Sequence, residues 1–468
     1  MKPRNRMGRR SFMKGTAGMA AVPFVQGSKA EGTPPSGATP SRLSRKDNPV
    51  VEENSKPGTV EWQLQYTRFD DPITLASYPL NRQLRSAAVE GYTSKNSVLP
   101  GESIDIMVSM NPAAKFTIDL YRMGYYGGAG GRHMARLGPF KGVPQPMPMM
   151  TMERLRECAW EKCTTLTIPK DWPSGVYLGK LTRDEDFGAE SYVIFVVKER
   201  RKTDLLFQTS DFTWNAYNKW PGKNSLYDDG TPEVWYTGPN VRVSFDRPYA
   251  KYCQVVDAPA TVGSGSFLLW EFPMVFWLER QGYDVTYCSN VDLHLDPEIL
   301  KMAKVAVIND DLVPHRIAGK EGQAQALVAG LQRLLEHLTR PVFVVAGGEK
   351  YEGLGVRAGD RIRGLIGWEY NWIPAEIPGL EVVATSPLTP RSTEWAKDQR
   401  HHAVVFPCSK GNWVFNAGTI WWSEGLSCPP GHIPARVGDM AGAFGVNPKV
   451  ERITANVLDR MIMDSPRL

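Results

Sequence analysis

The chain has 468 residues, of which 42% are apolar and 22% are charged, a composition typical of globular proteins with room for two domains. Its net charge of +5 is small, and the sequence after the first residues contains no dense Lys/Arg stripe with interleaved aromatic residues. Nucleic acid is therefore excluded as an expected partner, and nothing in the charge favours binding to a membrane surface.

The first 30 residues have the pattern of an export signal. The run Arg-Arg-Ser-Phe-Met-Lys from Arg9 to Lys14 resembles the twin-arginine signal, and a short, mildly apolar stretch with a small-residue end follows it up to Ala30. That stretch is too short to span a bilayer, and no later stretch approaches about 18 apolar residues. We therefore expect residues 1–30 to direct export to the periplasm or the medium, with no membrane anchor afterwards. The alternative is a disordered basic tail.

The next two segments differ in composition. Residues 31–57 are rich in Pro, Ser, Gly and Lys, which predicts a disordered linker. Apolar residues then alternate with polar ones between turns such as Asn111-Pro112, which predicts a β-sandwich over residues 58–200. The alternating sets are Ile104, Ile106 and Val108; Phe116, Ile118 and Leu120; and Tyr192, Ile194 and Val196.

The pattern changes again at residue 201. Short apolar runs alternate with helical stretches, which predicts an α/β domain with a parallel sheet over residues 201–468. One helix is predicted from Leu327 to Leu338, and another from Met274 to Gln281 with Gly282 as its left-handed cap. Ligands of such sheets bind at the carboxyl ends of the strands. The predicted strands are Asp204 to Gln208, Val285 to Cys288, Val305 to Ile308 and Val342 to Ala346.

Cys158 and Cys163 form the one close pair among six cysteines. A zinc site would need two further soft ligands nearby, and the sequence has no such cluster. In an exported protein, the pair predicts a local disulfide.

Several motifs resemble the C-terminal domain of the N,N-dimethylformamidase large-subunit family. The resemblance extends in order from about Val98 to Gly425. The family's members are amidohydrolase-like proteins that hold a ferric ion with two tyrosinates and a glutamate. The resemblance implies a hydrolase of C–N bonds, and an α/β domain similar to class I glutamine amidotransferases. The motifs are Ile118 to Arg132, Asp171 to Tyr177, Phe212 to Asn218, Phe245 to Tyr249, Trp270 to Met274 and Gly282 to Tyr287.

The resemblance also implies two of the iron ligands. Tyr217 matches the Tyr of the family's Trp-x-Ala-Tyr-Asn run, and Tyr249 is the best match for the second phenolate, with Tyr252 close to it in sequence. A hard Fe(III) ion prefers such oxygen ligands. We expect Tyr217, Tyr249 and a carboxylate to converge at the carboxyl ends of the central strands.

The chain departs from the family at the third ligand. Related chains have His-x-Glu-Tyr-Trp after the strand that aligns with residues 305–308, in which Glu binds iron and His assists catalysis. Here the stretch reads Asn-Asp-Asp-Leu-Val-Pro-His from Asn309 to His315. Asp310 or Asp311 could supply a shorter carboxylate, and His315 a displaced imidazole.

Two further positions are candidates for acid/base chemistry. Glu424 lies in a segment that resembles the family's closing strand and turn, as either a general acid/base carboxylate or an exposed turn acid. His401 and His402 are adjacent, so on a strand they would point to opposite faces and could not both bind one ion.

Two functions of different classes remain open from the sequence. Covalent catalysis by Ser or Cys is not expected, because the chain has no Gly-x-Ser-x-Gly and its strand end after Val344 lacks a Cys. The chain is then an iron-dependent hydrolase of small amides, or a metal-free secreted binding or scaffold module of the same fold. Its partners would be a small amide substrate and, in addition, a second copy of the chain or a small second subunit.

Overall fold

The computed structural model describes residues 47–69, 84–185, 188–228, 242–253, 257–308, 342–344, 378–387, 400–408, 411–432 and 445–465. All of these residues belong to one unit, Ser36–Leu468. The export signal predicted over residues 1–30 and the helix predicted from Leu327 to Leu338 lie outside the described residues.

Eight strands in the first half of the chain form two sheets. They are β1 (Glu90–Thr93), β2 (Ser97–Val98), β3 (Ser103–Ser109), β4 (Ala114–Met123), β5 (Gly131–Gly142), β6 (Lys162–Thr167), β7 (Gly175–Arg183) and β8 (Glu190–Val197). One sheet has the order β1-β3-β6 and the other the order β2-β8-β7-β4-β5. Their facing side chains form one apolar core that includes Ile106 and Ile118, as the alternation of the sequence predicts.

Strand β8 is buried on both of its faces. Val193 and Phe195 face the core between the two sheets, whereas Tyr192 and Ile194 face a second core that includes strands and helices of the C-terminal half. Every residue of β8 is buried as a result. The five-stranded sheet is therefore a middle layer, which the alternating set around Ile194 does not reveal.

Seven strands from residue 203 onward form the third sheet. They are β9 (Thr203–Thr209), β10 (Val285–Ser289), β11 (Ala303–Ile308), β12 (Val342–Val344), β13 (Glu381–Pro387), β14 (Arg400–Pro407) and β15 (Trp413–Asn416). Their order is β10-β9-β11-β12-β15-β14-β13. The first five are parallel, as predicted, and β14 and β13 add an antiparallel edge that the sequence did not indicate.

Six α-helices lie in the described residues. They are α1 (Pro49–Asn54), α2 (Asp211–Tyr217), α3 (Phe267–Trp270), α4 (Phe272–Arg280), α5 (Asn290–Leu295) and α6 (Pro448–Asp464). Helix α4 ends before Gly282, whose φ of +71° confirms the predicted left-handed cap. Residues 49–54 of the segment predicted as a linker, 31–57, form α1, and its Val50 and Glu53 are buried.

A buried ion pair joins the middle sheet to α4. Arg122 of β4 donates to both carboxylate oxygens of Glu279, at 2.8 and 3.1 Å, and both side chains are almost completely buried. Arg122 also donates to the Ser174 carbonyl and the Tyr126 hydroxyl, while Tyr287 of β10 donates to Glu279. Burial alone would lower the pKa of Arg122, but the Glu279 carboxylate holds it above its usual value.

Helix α1 extends this polar network. Glu53 accepts hydrogen bonds from Tyr126 at 2.8 Å and from Lys56 at 2.7 Å, and it pairs with Arg132 of β5. The neighbouring Asn54 donates to Glu279 at 2.8 Å. The short helix is thus held in place by charges and amides of the middle layer, which is why a polar, Pro-containing segment is ordered here.

Cys158 and Cys163 are both free thiols, which corrects the predicted disulfide. Cys158 is buried in a cluster with Tyr92 and Trp220, while Cys163 lies on β6 and packs against the core between the two sheets. The two side chains thus belong to different apolar clusters, although only four residues separate them.

Exchange of Arg122 for Met is expected to lower the free energy of unfolding by ~3–5 kcal/mol, because Glu279 would stay buried without its counter-ion. Denaturant titration measures this loss. The matched control is Arg136→Met, since the Arg136 side chain is 63% exposed and lies 3.8 Å from Asp119; it should change little. The double variant Arg122→Met/Glu279→Leu should recover part of the loss. A loss in Arg122→Met no larger than in the control would contradict the importance of the pair.

Both Cys158 and Cys163 should react with a thiol-specific alkylating reagent in denatured protein without reductant. In native protein Cys158 should react far more slowly, since burial raises its pKa. Peptide mass spectrometry measures both. If both thiols are unreactive in denatured protein and become reactive only after reduction, Cys158 and Cys163 form the disulfide that the sequence predicts.

Candidate functional site

The predicted site begins where β9 ends. Strand β9 stops at Thr209, and α2 starts at Asp211 and ends at Tyr217. Tyr217 is half-buried, and its ring lies 4.9 Å from the ring of Tyr227. Helix α2 therefore lies at the carboxyl edge of the parallel sheet, where α/β proteins bind ligands.

Asn218 fastens the segment of Tyr217 to the segment of Tyr249. Its side-chain amide donates to the Pro248 carbonyl at 2.9 Å, and its side-chain oxygen accepts from the Ala250 backbone at 3.0 Å. Because Pro248 and Ala250 flank Tyr249 while Asn218 follows Tyr217, the structure brings these two predicted segments together.

The contacts of the rings distinguish Tyr249 from its sequence neighbour. Tyr249 packs against Trp214 of α2 with ring centroids 6.2 Å apart. Tyr252 instead packs against Trp270 of α3, at 5.8 Å. The contacts described thus place Tyr249 beside α2, and its role as a ligand stays a prediction.

A fully buried guanidinium lies beside Tyr249. The five N–H groups of Arg247 donate to the carbonyls of Ser244, Trp220 and Asn224, and to both oxygens of Asn215, at 2.8 to 3.1 Å. Within the part of the chain that the structure describes, Arg247 makes no ion pair with a carboxylate. Burial lowers its pKa to about 10, so the group keeps its charge at neutral pH.

Asp211 and Glu271 are buried carboxylates near Tyr249 that the sequence analysis did not select. Burial raises the pKa of Tyr249, and Asp211 and Glu271 raise it further, whereas Arg247 lowers it. Glu271 accepts hydrogen bonds from the Trp214 indole and from the Ser210 backbone. Its place in the Trp270 to Met274 motif was the one signal that could have drawn attention to it.

Asp211 connects the middle sheet to the third sheet. It accepts from the Asn96 side chain at 2.6 Å, next to β2, and from the Asn290 backbone at 2.6 Å, at the start of α5. Burial raises the pKa of Asp211 to about 7 in spite of these hydrogen bonds. The carboxyl group can therefore gain or lose a proton near neutral pH.

A small cavity lies between the middle sheet and α2. Asp211, Arg247 and Tyr249 line it from one side, and β8 residues from Val193 to Val196 from the other. It has room for roughly one or two water molecules. The sandwich half of the chain thus supplies one wall of the site.

The other predicted site residues have different outcomes. Glu424 lies in the 3-10 segment Ile420–Gly425 and is buried, so the exposed-turn alternative is wrong. His401 of β14 is buried and donates from Nε2 to the Ala417 carbonyl at 3.0 Å, while His402 is half-buried. Asp310, Asp311 and His315 lie outside the described residues, and their roles stay predictions.

The described residues contain no group of three or more His, Cys, Asp or Glu side chains that could hold a metal ion. That finding does not concern a metal site with tyrosinate ligands, because tyrosine is not among these residue types. None of the helices that the structure describes has the length and apolar character of a membrane span.

A match to a protein-family model shows to which family the chain belongs. A family model described as N,N-dimethylformamidase beta subunit-like, C-terminal matches residues 117–309 and 315–435, more than half of the chain. The chain belongs to the N,N-dimethylformamidase beta subunit-like family. The match of this dimethylformamidase-like chain is interrupted only at residues 310–314, which include both Asp310 and Asp311. No curated protein matches it.

Similarity to solved structures is slight. The sporulation control protein Spo0M from Bacillus subtilis is 15% identical, over 24% of this chain and 50% of Spo0M, with a TM-score of 0.16. A cycloisomaltooligosaccharide glucanotransferase from Paenibacillus sp., complexed with cycloisomaltoheptaose, is 10% identical over 68% of this chain and 59% of its own, with a TM-score of 0.17. These similarities do not support the expected likeness to class I glutamine amidotransferases.

Asp211→Asn should change how stability depends on pH. The raised pKa of Asp211 means that the native state binds more protons than the unfolded state between about pH 4 and pH 7. Wild-type stability should therefore fall as pH rises through this window, by up to ~1.4 kcal/mol per pH unit from this group, and Asp211→Asn should lack that contribution. Denaturant titrations at several pH values measure it. Asp171→Asn, at an exposed position, is the control; parallel profiles for wild type and Asp211→Asn would contradict the assignment.

Proposed function

We propose that the chain hydrolyses C–N bonds of small amides with a ferric ion held by Tyr217, Tyr249 and a carboxylate of Asp310 or Asp311. The observation that carries the proposal is the pair of hydrogen bonds that Asn218 makes with Pro248 and Ala250. These bonds hold the segments of both tyrosines together at the carboxyl edge of the sheet. Membership in the dimethylformamidase-like family supports the class of reaction.

The surroundings of Tyr249 fit a hard cation with phenolate ligands. A buried phenol deprotonates only where positive charge compensates the phenolate, and Arg247 supplies one buried charge that no described carboxylate neutralises. The carboxylates Asp211 and Glu271 near Tyr249 add negative potential, which favours the binding of a trivalent cation.

The residues of the chain would divide the remaining tasks. Bound iron would supply Lewis acidity toward an amide carbonyl. Asp211, with its pKa near 7, can accept or release a proton at neutral pH, and the adjoining cavity can hold the water that hydrolysis consumes. His315 and Glu424 are the further acid/base groups of the proposal.

A second candidate function has its own supporting observation. The family's His-x-Glu-Tyr-Trp motif is replaced between Asn309 and His315, where the family match is also interrupted. A chain without the third ligand would keep the fold and act as a metal-free binding or scaffold module. For either function, we propose a second copy of the chain or a small second subunit as a further partner.

We also propose that the chain is exported by the twin-arginine route, on the pattern from Arg9 to Lys14. This route carries folded proteins, which suits a chain that must acquire its metal first. N-terminal sequencing of the protein recovered outside the cytoplasm should find cleavage near Ala30. A mature protein that still begins at Met1 would contradict the proposal.

Purified without chelator, the chain should contain stoichiometric iron, absorb visible light through tyrosinate charge transfer and hydrolyse small amides. Tyr217→Phe and Tyr249→Phe should each lose most of the iron, the colour and the activity, because each removes one phenolate. Tyr66→Phe is the control at an exposed tyrosine. Elemental analysis, absorption spectra and amine release measure these effects, with circular dichroism to establish folding. A folded, colourless, iron-free protein would reject the hydrolase and favour the binding module.

A further inference from the structure

Four methionines lie within six residues of the connection between β5 and β6. The sequence is Pro-Met-Pro-Met-Met-Thr-Met from Pro146 to Met152. Met149 is 83% exposed, Met150 48% and Met152 87%. Five methionines are exposed in the described part of the chain, and three of them lie in this one segment.

Methionines make up most of the exposed apolar surface of this segment. Between Gly142 and Lys162, the exposed large apolar side chains are Val143, at 51%, and the three methionines, while Leu155 is half-buried. A Met-rich surface can adapt its shape to an apolar partner, and it also presents several soft sulfur donors close together in sequence. The three thioethers are the groups of this segment that a soft metal ion would bind.

Two hydrogen bonds from side chains to backbone carbonyls hold the segment at Pro146 and Pro148. The Trp160 indole donates to the Pro146 carbonyl at 2.9 Å, and Arg156 donates to the Pro148 carbonyl at 2.6 Å. Met147 packs inward between these two points, against the cluster that contains Trp160. Met149 follows the second point directly and faces solvent.

A tight turn closes the segment after Met152. Glu153 and Arg154 have left-handed φ values of +56° and +59°, and Leu155 donates to the Met152 carbonyl at 3.3 Å while its own carbonyl accepts from the Thr151 backbone at 2.9 Å. The three exposed thioethers therefore project from a short, turned stretch. The flexible Met side chain has enough rotatable bonds for them to meet at one ion.

We propose that Met149, Met150 and Met152 form a binding site for Cu(I). Thioethers are soft, uncharged ligands that select Cu(I) over the hard cations that carboxylates and carbonyls bind. The neighbouring Arg154 and Arg156 repel divalent ions more strongly than a monovalent one, and Glu153 is paired with Arg242 at 3.1 Å. The site is independent of the proposed hydrolase function.

Titration of the full chain with the Cu(I) acetonitrile complex in a calorimeter tests the proposal, without oxygen and after accessible thiols have been capped with N-ethylmaleimide. The wild type should bind one Cu(I) per chain at this site. The triple variant Met149→Leu/Met150→Leu/Met152→Leu keeps the apolar character and removes the sulfur. Its affinity should fall at least about tenfold, which corresponds to ~1.4 kcal/mol.

The matched control is Met302→Leu/Met463→Leu, at positions 38% and 72% exposed that lie outside the segment. It should bind Cu(I) like the wild type, and the unfolding midpoints of all three proteins should agree. No binding of Cu(I) by the wild type would overturn the site. So would unchanged binding by the triple variant, or an equal loss in the control.

Discussion

The ion pair between Arg122 and Glu279 is the interaction on which the layering of this protein depends. The five-stranded sheet is covered on both faces, so the guanidinium of β4 is removed from water. The Glu279 carboxylate of α4 pairs with that charge, and Tyr287 and Asn54 donate further hydrogen bonds to Glu279. The pair thereby fixes the position of the third sheet against the sandwich, and β8 becomes a wall of the cavity at Tyr249.

Arg247 presents the opposite electrostatic situation. Its five N–H groups are satisfied by neutral oxygens, and no described carboxylate neutralises its charge. A buried cation without a counter-ion is costly, and a phenolate at Tyr249 would relieve part of that cost. The same group also joins α2 to the segment of Tyr249 through Asn215 and Trp220. One residue thus contributes to both the geometry and the charge of the candidate site.

The sequence was most informative where structure depends on neighbouring residues. The strands that became β9, β10 and β11 and the cap at Gly282 follow from short apolar runs and the conformational freedom of glycine. The predicted disulfide between Cys158 and Cys163 is wrong. Nearness in sequence does not determine the apolar cluster into which each side chain packs.

Local sequence patterns could not predict the contacts that site residues make with distant segments. Asp211 owes its raised pKa to burial by distant segments, and one of its donors, Asn96, is 115 residues away. Helix α1 is ordered by Glu53, whose partners Tyr126 and Arg132 lie more than seventy residues ahead. The segments of Tyr217 and Tyr249, which were selected by family motifs, are joined through Asn218, and the role of the two phenols stays a prediction.

A crystal structure with anomalous diffraction recorded at the iron absorption edge is the decisive test of an iron site at Tyr217 and Tyr249. We expect one anomalous peak at the carboxyl edge of the sheet, within about 2.5 Å of the phenolic oxygens of both tyrosines. Phenolic oxygens more than roughly 8 Å apart, with no peak between them, would contradict it, since no single ion could bind both.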